Sequence, residues 1–294
     1  MGRELPRRGP DTTRMIDNRA RADRGPIYDS AEAADPLDDE LRAAFGFRDF
    51  ILIWTRRNIS LRYKRSLLGV LWTVLEPLAV ISILAVVFSA VFRFEIDNYP
   101  VYILSGWVMW EFFARATSTM AGDIEATREI TTRFRVPRSA FLVASVLSTL
   151  FNWALAMIVL AGVMAVMGHP FTWALATLPV AMILVAGFAF GVGCAVAALA
   201  TLYHDFILMY TVALTMWLYA TPIIYPLAIV PDPARPLFLL NPLTHLLTLI
   251  RAPIYEGRWP SGAEWMTGVV ISMMSAMAGI WVLTRSRTAL EYRG

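Results

Sequence analysis

The sequence predicts an all-α integral membrane protein: six transmembrane helices, an N-terminal amphipathic interface helix and outer re-entrant helices. Three observations carry this prediction. Hydrophobic residues make up 57 % of the 294 positions and charged residues only 17 %, against about a quarter charged in water-soluble domains. That excludes a soluble globular enzyme. Six apolar segments reach or approach the roughly 20 residues that a helix needs to cross about 30 Å of hydrocarbon. Strand alternation of the barrel kind is missing, and a helix satisfies its backbone groups within its own segment.

Residues 1–44 hold ten acids, eight arginines and four prolines, the composition of a disordered cytoplasmic tail. No signal peptide precedes the apolar runs. Residues 45–65 follow as an interface helix. Phe47, Phe50, Ile51, Trp54 and Leu61 fall near helical spacing and Arg48, Asp49, Arg56 and Arg57 fall elsewhere, so the helix lies in the membrane interface with its arginines near anionic head groups. The predicted spans in the remaining transmembrane domain, 66–294, are Leu67–Phe92, Tyr99–Ala116, Ala140–Met167, Phe171–Leu202, Phe206–Tyr225 and Trp265–Thr284. Arginine and lysine cluster before the first span, between the second and third, and after the sixth. Both termini are therefore expected on the cytoplasmic side of the cytoplasmic membrane. Trp107, Trp110, Trp173, Trp259 and Trp265 suit an interfacial aromatic belt, or packed helix contacts.

Two connections stand apart. Residues 123–137 read as a short charged helix on the cytoplasmic side. Asp123 or Thr127 caps it, acids come early and arginines late, and Pro137 ends it. Such a helix, with an exposed apolar residue or two, fits a groove on a soluble partner. Residues 221–262 hold eight of the chain's seventeen prolines and yet include the apolar run LFLLNPLTHLLTLI. Two half-length helices dipping back into the outer leaflet fit that composition, since irregular backbone at membrane depth needs protein or a water-filled path to cover it.

The chemistry is sparse. Lys64, the only lysine, is not preceded by a GxxxxG loop, so no P-loop is present. His169, His204 and His245 lack ligand spacing, Cys194 has no disulfide partner in the chain, and no G-x-S-x-G elbow occurs. No catalytic residue, metal site or nucleic-acid partner is expected. Glu76 falls about 15 Å along the first span at 1.5 Å per residue, where a carboxyl faces a cavity, a helix contact or a hydrogen-bond partner. Glu111 and Arg115 are spaced to pair on one helix face. Gly187, Gly191 and Gly193 give a GxxxG spacing for close packing, expected within one subunit. Tyr99, Tyr102, Trp107, Trp110, Phe112, Phe113, Trp217, Tyr219 and Tyr225 gather near the outer ends. They serve packing or, as a set, a path for a carbohydrate chain.

Six stretches carry a resemblance over about residues 45–290. They are RYKRSLLGVLWTVLEPL (62–78), YPVYILSGWVMWEFF (99–113), FRVPRSAF (134–141), HDF (204–206), TPIIYP (221–226) and NPLTHLLTLIR (241–251). In this order the chain resembles the membrane subunit of ABC-2-type exporters for lipid-linked polysaccharides, the O-antigen, teichoic-acid and mycobacterial galactan permeases. His204 departs from the arginine or tyrosine more usual there, and residues 1–44 have no clear counterpart.

The resemblance implies a homodimer in contact with membrane lipids, two copies of a separate ABC ATPase subunit that binds ATP and magnesium, and a polyprenyl-diphosphate-linked glycan as cargo. It implies that Glu125, Arg128, Glu129, Arg133, Phe134 and Arg135 lie in a coupling helix. Arg56, Arg57, Arg62, Lys64 and Arg65 would meet the diphosphate at the substrate gate. Glu76, Trp107, Trp110, Phe113, Trp217, Tyr219 and Tyr225 are pore candidates. The competing expectations are an ABC-2 drug or small-lipid exporter and a membrane glycan-modifying enzyme.

Overall fold

The computed structural model of the chain describes residues 46–64, 71–72, 75, 78–79, 83, 96–127, 131, 136–203 and 205–291. The predicted tail, most of the first span, His204, Arg65, Glu76, and Arg128, Glu129, Arg133, Phe134 and Arg135 lie outside them. Among the described residues every regular element is helical.

Helix α1 spans Arg48–Tyr63. It has neither Gly nor Pro inside it, and Asp49 sits in the first turn, where a carboxylate complements the helix dipole. Its covered side seats Ile51 with Phe47, Phe50 and Trp54 against Val136, Ala140, Phe141 and Ala144. Phe50 and Trp54 meet Phe141 edge to face at 5.0 and 4.9 Å. Leu61 departs from the expected apolar set, since it is exposed.

Helix α2, Tyr99–Ala126, begins where Asn98 takes a left-handed φ of 49° and turns the chain into it. Asn tolerates that conformation better than most residues. The helix is about 42 Å long at 1.5 Å per residue, ten residues longer than the predicted span. Hydropathy falls beyond Ala116, but TSTMAGDIEA contains no proline and its single glycine costs only about 1 kcal/mol, so the helix continues. Asp123 therefore lies inside a helix rather than capping a new one. Its backbone carbonyl accepts the amide of Thr127 at 2.9 Å.

Helix α3, Arg138–Val166, follows Pro137 and ends in a Schellman motif. Gly168 takes φ 66°, and the His169 amide donates back to the Met164 carbonyl at 2.9 Å. A 3-10 turn, Trp173–Thr177, leads into α4, Leu178–Leu202. Helix α5 covers only Phe206–Tyr219. That gives about 21 Å, not the predicted span to Tyr225, because Pro222 and Pro226 remove amide donors and stop the helix. After a 3-10 turn at Leu227–Ile229 come α6, Arg235–Leu240, and α7, Pro242–Ile254. Helix α8 spans Gly262–Glu291. It opens with a capping box: the Ser261 amide donates to Glu264 Oε2 at 2.6 Å, and the Glu264 amide to Ser261 Oγ at 3.2 Å. Arg258 reaches both Glu264 oxygens at 2.8 Å, and these bonds, with one to Glu256, raise its guanidinium above the ordinary arginine range.

Three segments are long and apolar enough to cross a membrane: Arg138–Val166, Trp173–Leu202 and Gly262–Arg285. The first two pack on α2, whose Val101, Ile103, Leu104, Met109, Phe113, Ala116 and Met120 are fully covered, and the third packs on Trp173–Leu202. Trp110 belongs to this core and not to an interfacial belt, whereas Trp173 is 90 % exposed.

Small residues set the closest crossing, between α4 and α8. A Cβ on Gly191 would come 2.1 Å from the Ser275 carbonyl, and one on Gly279 2.1 Å from the Gly191 carbonyl. Ser272 and Ser275 donate across the seam to the Leu184 and Phe188 carbonyls at 2.7 and 3.0 Å. The GxxxG glycines thus pack within the chain. Gly279→Ala is expected to destabilise the protein by about 1–3 kcal/mol through overpacking. Gly162→Ala, which meets nothing within 4 Å, should not. Comparison of the two unfolding midpoints in detergent checks this.

Candidate functional site

Residues 221–226, TPIIYP, run between α5 and the Leu227–Ile229 turn without helix or strand. Their carbonyls lie among apolar helices and need donors from elsewhere. Four consecutive carbonyls find them. Arg251 Nη1 donates to Pro222 at 2.6 Å and Nη2 to Ile223; the Tyr99 hydroxyl donates to Ile224 at 2.9 Å and the Tyr102 hydroxyl to Tyr225 at 3.1 Å. Both tyrosines lie in the first turn of α2, and Arg251 lies in the last turn of α7. The strap between them is therefore held by side chains on two helices.

Arg251 is 7 % exposed. Its guanidinium lies 3.8 Å from the Tyr102 ring centroid and bonds that hydroxyl at 2.9 Å. Gly106 makes room, since a Cβ there would come 2.9 Å from Arg251 Nη2. No ion pair to Arg251 occurs among the described residues. Carbonyl dipoles and an aromatic face take the place of a carboxylate.

Two more clasps hold this end together. Asn241 caps α7 by accepting from the Leu243 amide at 3.0 Å. It also accepts from Trp217 Nε1 at 2.9 Å and donates to the Ala220 carbonyl and the Thr221 hydroxyl at 3.0 and 2.9 Å. The second clasp is His169, whose Nε2 donates to the Ile254 carbonyl at 3.0 Å while Nδ1 faces the Asn98 amide at 3.4 Å. Its ring stacks on Tyr255, whose hydroxyl donates to the Asp97 carbonyl at 2.7 Å.

At the other end of α2, the Asp123 carboxylate accepts a bond from Ser145 Oγ on α3. Helix α1 is tied to α3 there by Tyr63 bonding Asn152 and by Thr55 donating to the Ala144 carbonyl at 3.4 Å. One continuous helix thus joins the TPIIYP strap to the residues where 123–137 begins.

The expected gate residues Arg56, Arg57, Arg62 and Lys64 are exposed on α1, but they do not share one face. Arg57 and Lys64 lie seven residues apart on one side; Arg62 falls about 140° around the axis from Arg57 at 3.6 residues per turn. Arg57 lies over the Trp54 ring at 4.2 Å. Of the pore candidates, Phe113 and Trp110 are buried; Phe113 stacks on Phe188 at 5.6 Å and meets Trp217 edge-on at 5.2 Å. Trp107, Trp217 and Tyr225 are half-buried and Tyr219 is exposed. Glu125 lies in the last turn of α2.

Sequence reading missed Arg251 and Asn241 as individual residues. Their signals were an arginine ending a leucine-rich run, where a charge needs a specific partner, and an Asn-Pro pair at a helix start. Arg251→Leu strands two strap carbonyls, at about 1–3 kcal/mol each, and Tyr99→Phe strands one. The unfolding midpoint in detergent is expected to fall further for Arg251→Leu. Equal losses would contradict the assignment.

Comparison with known proteins places this architecture. The ABC-2 type transporter family matches residues 50–255. The O-antigen export system permease protein RfbA of Myxococcus xanthus is 28 % identical over 236 residues, covering 80 % of this chain and 91 % of that protein. A protein of the same name from Klebsiella pneumoniae is 25 % identical over 203 residues, covering 68 % and 77 %. The polysialic acid transport protein KpsM of Escherichia coli is 23 % identical over 244 residues, covering 79 % and 90 %. The family match takes in α2 through α7, strap and clasps included, and the chain is a member of the ABC-2 type transporter family.

Proposed function

We propose that the chain is the membrane-spanning permease subunit of an ATP-driven exporter, and that its cargo is a lipid-linked polysaccharide. One observation carries this reading. The relatives named for O-antigen export and polysialic acid transport align over 91 % and 90 % of their own length, so the likeness extends along the permease and is not confined to one motif. ATP and magnesium belong to a separate nucleotide-binding subunit, two copies of which serve a homodimer of this chain. The sequence itself offers no P-loop.

In this reading six segments cross the cytoplasmic membrane, with both termini cytoplasmic. They are residues 67–92, α2, α3, 173–202, α5 together with the strap, and α8. Helix α5 alone reaches about 21 Å, short of the roughly 30 Å of hydrocarbon. The strap, α6 and α7 fill the outer leaflet as the re-entrant part, and the strap's carbonyls are capped because no water is there to cap them. Residues 123–137, with Glu125, Arg128, Glu129, Arg133, Phe134 and Arg135, seat in the ATPase groove. A push on them is delivered along α2 to Tyr99 and Tyr102, and so to the strap that closes the outer side. Helix α1, bonded to α3 beside Asp123, borders the cytoplasmic gate. There Arg56, Arg57, Arg62, Lys64 and Arg65 meet the diphosphate, whose oxygens suit guanidinium donors. Glu76, Trp107, Trp217, Tyr219 and Tyr225 remain the pore candidates, since Trp110 and Phe113 are enclosed within one chain.

Depletion of the protein in its own cells tests the function. Lipid-linked polymer is expected to accumulate on the cytoplasmic face while drug tolerance stays unchanged. Undiminished polymer at the outer surface, or loss of drug tolerance alone, contradicts the reading.

A further inference from the structure

Charge is divided unevenly in the stretch before α1. Residues 1–24 hold seven arginines against four acids. Residues 25–45 hold six acids, Asp29, Glu32, Asp35, Asp38, Asp39 and Glu40, against one arginine, Arg42. Helix α1 has the opposite sign. From residue 48 to residue 64 the chain carries Arg48, Arg56, Arg57, Arg62 and Lys64 against one acid, Asp49. Ile51 marks the covered side of this helix. At about 100° per residue, Arg56, Arg57 and Lys64 fall within one sector of about 100° on the opposite side, with Ile53 and Ser60 between them. All five are exposed. Asp49 pairs with Arg48 at 4.0 Å, and Arg57 lies over the Trp54 ring. Among the described residues no carboxylate lies within ion-pair distance of Arg56, Arg57 or Lys64.

The acidic stretch and the basic face are neighbours along the chain. At about 3.3 Å per residue, Glu40 can reach about 20 Å from Gly46 and Asp29 about 56 Å. Lys64 lies about 27 Å from Gly46 along the helix axis at 1.5 Å per residue. The acids can therefore lie along the whole basic face. A single exposed ion pair is weak, but a short tether holds the carboxylates at a local concentration on the order of millimolar. Anionic head groups compete for the same cations. The segment differs from them in bringing six carboxylates on one strand joined to α1 by a few residues. It also lies outside residues 50–255, which the family match covers.

We propose that residues 29–40 dock on the Arg56, Arg57 and Lys64 face of α1 in the same chain. The inference goes beyond the export reading and does not need it, since it uses only α1 and the charge of the adjoining segment. Combined with that reading, the docked segment occupies cations assigned there to the diphosphate, and so acts as a competitor built into the chain.

Charge-dependent cross-linking tests it in the full complex with its ATPase subunit, in vesicles of neutral lipid and in vesicles containing phosphatidylglycerol. Cys194, which is buried, is first replaced by Ala. Ala34→Cys and Ser60→Cys are then combined and oxidised with copper phenanthroline. An intrachain disulfide is expected in both membranes. Asp38→Asn, Asp39→Asn and Glu40→Gln together are expected to slow its formation about fivefold, as the loss of two or three exposed ion pairs implies. A rate that neutralisation leaves unchanged overturns the proposal, and so does a disulfide that joins two chains. A neutralisation effect that vanishes in the phosphatidylglycerol vesicles also overturns it, because head groups then hold the arginines in place of the segment. Each of these results leaves export itself, as judged by depletion, in place.

Discussion

Four adjacent backbone carbonyls, those of residues 222–225, have no helical amide to bond in the bent TPIIYP strap, and they lie among apolar helices. Their satisfaction is the constraint on which this end of the molecule depends. The donors come from two helices, with Tyr99 and Tyr102 on α2 and Arg251 on α7. Several other features follow from that requirement. Gly106 is small because the guanidinium occupies its side of α2. Asn241 fixes the start of α7 against the end of α5, so that Arg251, three turns later, reaches the strap. His169 ties the Gly168 turn to both Asn98 and Ile254. A strap held in this way is ordered but not rigidly built in. Its bonds are those of three side chains, and a shift of α2 changes two of the four at once.

The same helix carries the other demands on the fold. Its covered sides pack against α3 and α4. Glu111 and Arg115 pair along its partly exposed side, and its far end binds Ser145 through Asp123. A rod of about 42 Å that touches the strap at one end and the 123–137 segment at the other needs no flexible relay between them. The tight α4–α8 seam, where Gly191 and Gly279 bring backbones together, gives that rod a stiff neighbour to move against. Packing of this kind is bistable rather than continuously deformable, which suits a gate with discrete states.

Much of this was legible in the sequence, and the misses have physical causes. The spacing of Phe50, Ile51 and Trp54 located α1, the apolar runs located α3, α4 and α8, and the proline density of 221–262 located the irregular segment. Helix α2 was cut short because hydropathy reports the solvent a residue prefers, not whether its backbone continues to coil. Helix α5 was drawn too long because TPIIYP is apolar enough to read as membrane, although its prolines remove the donors that a helix needs. Arg251 was not singled out. Its role depends on Tyr102, 149 residues away, and on carbonyls 28 and 29 residues away. Nothing local in one sequence announces such partners. Phe113 and Trp110 read as candidate pore aromatics because composition places rings at a membrane end without saying which way they face.

The central claim is that the outer strap is held by α2 and released when the ATPase drives that helix. Hydrogen–deuterium exchange of the Ile223 amide, which bonds the Thr221 carbonyl at 2.7 Å within the strap, reads this directly in the intact complex. Exchange is expected to be slow in the resting complex, to rise when the ATPase is trapped with ATP, and to be already raised at rest in the Tyr99→Phe, Tyr102→Phe variant. Equal exchange in the resting and ATP-trapped complexes would contradict the account.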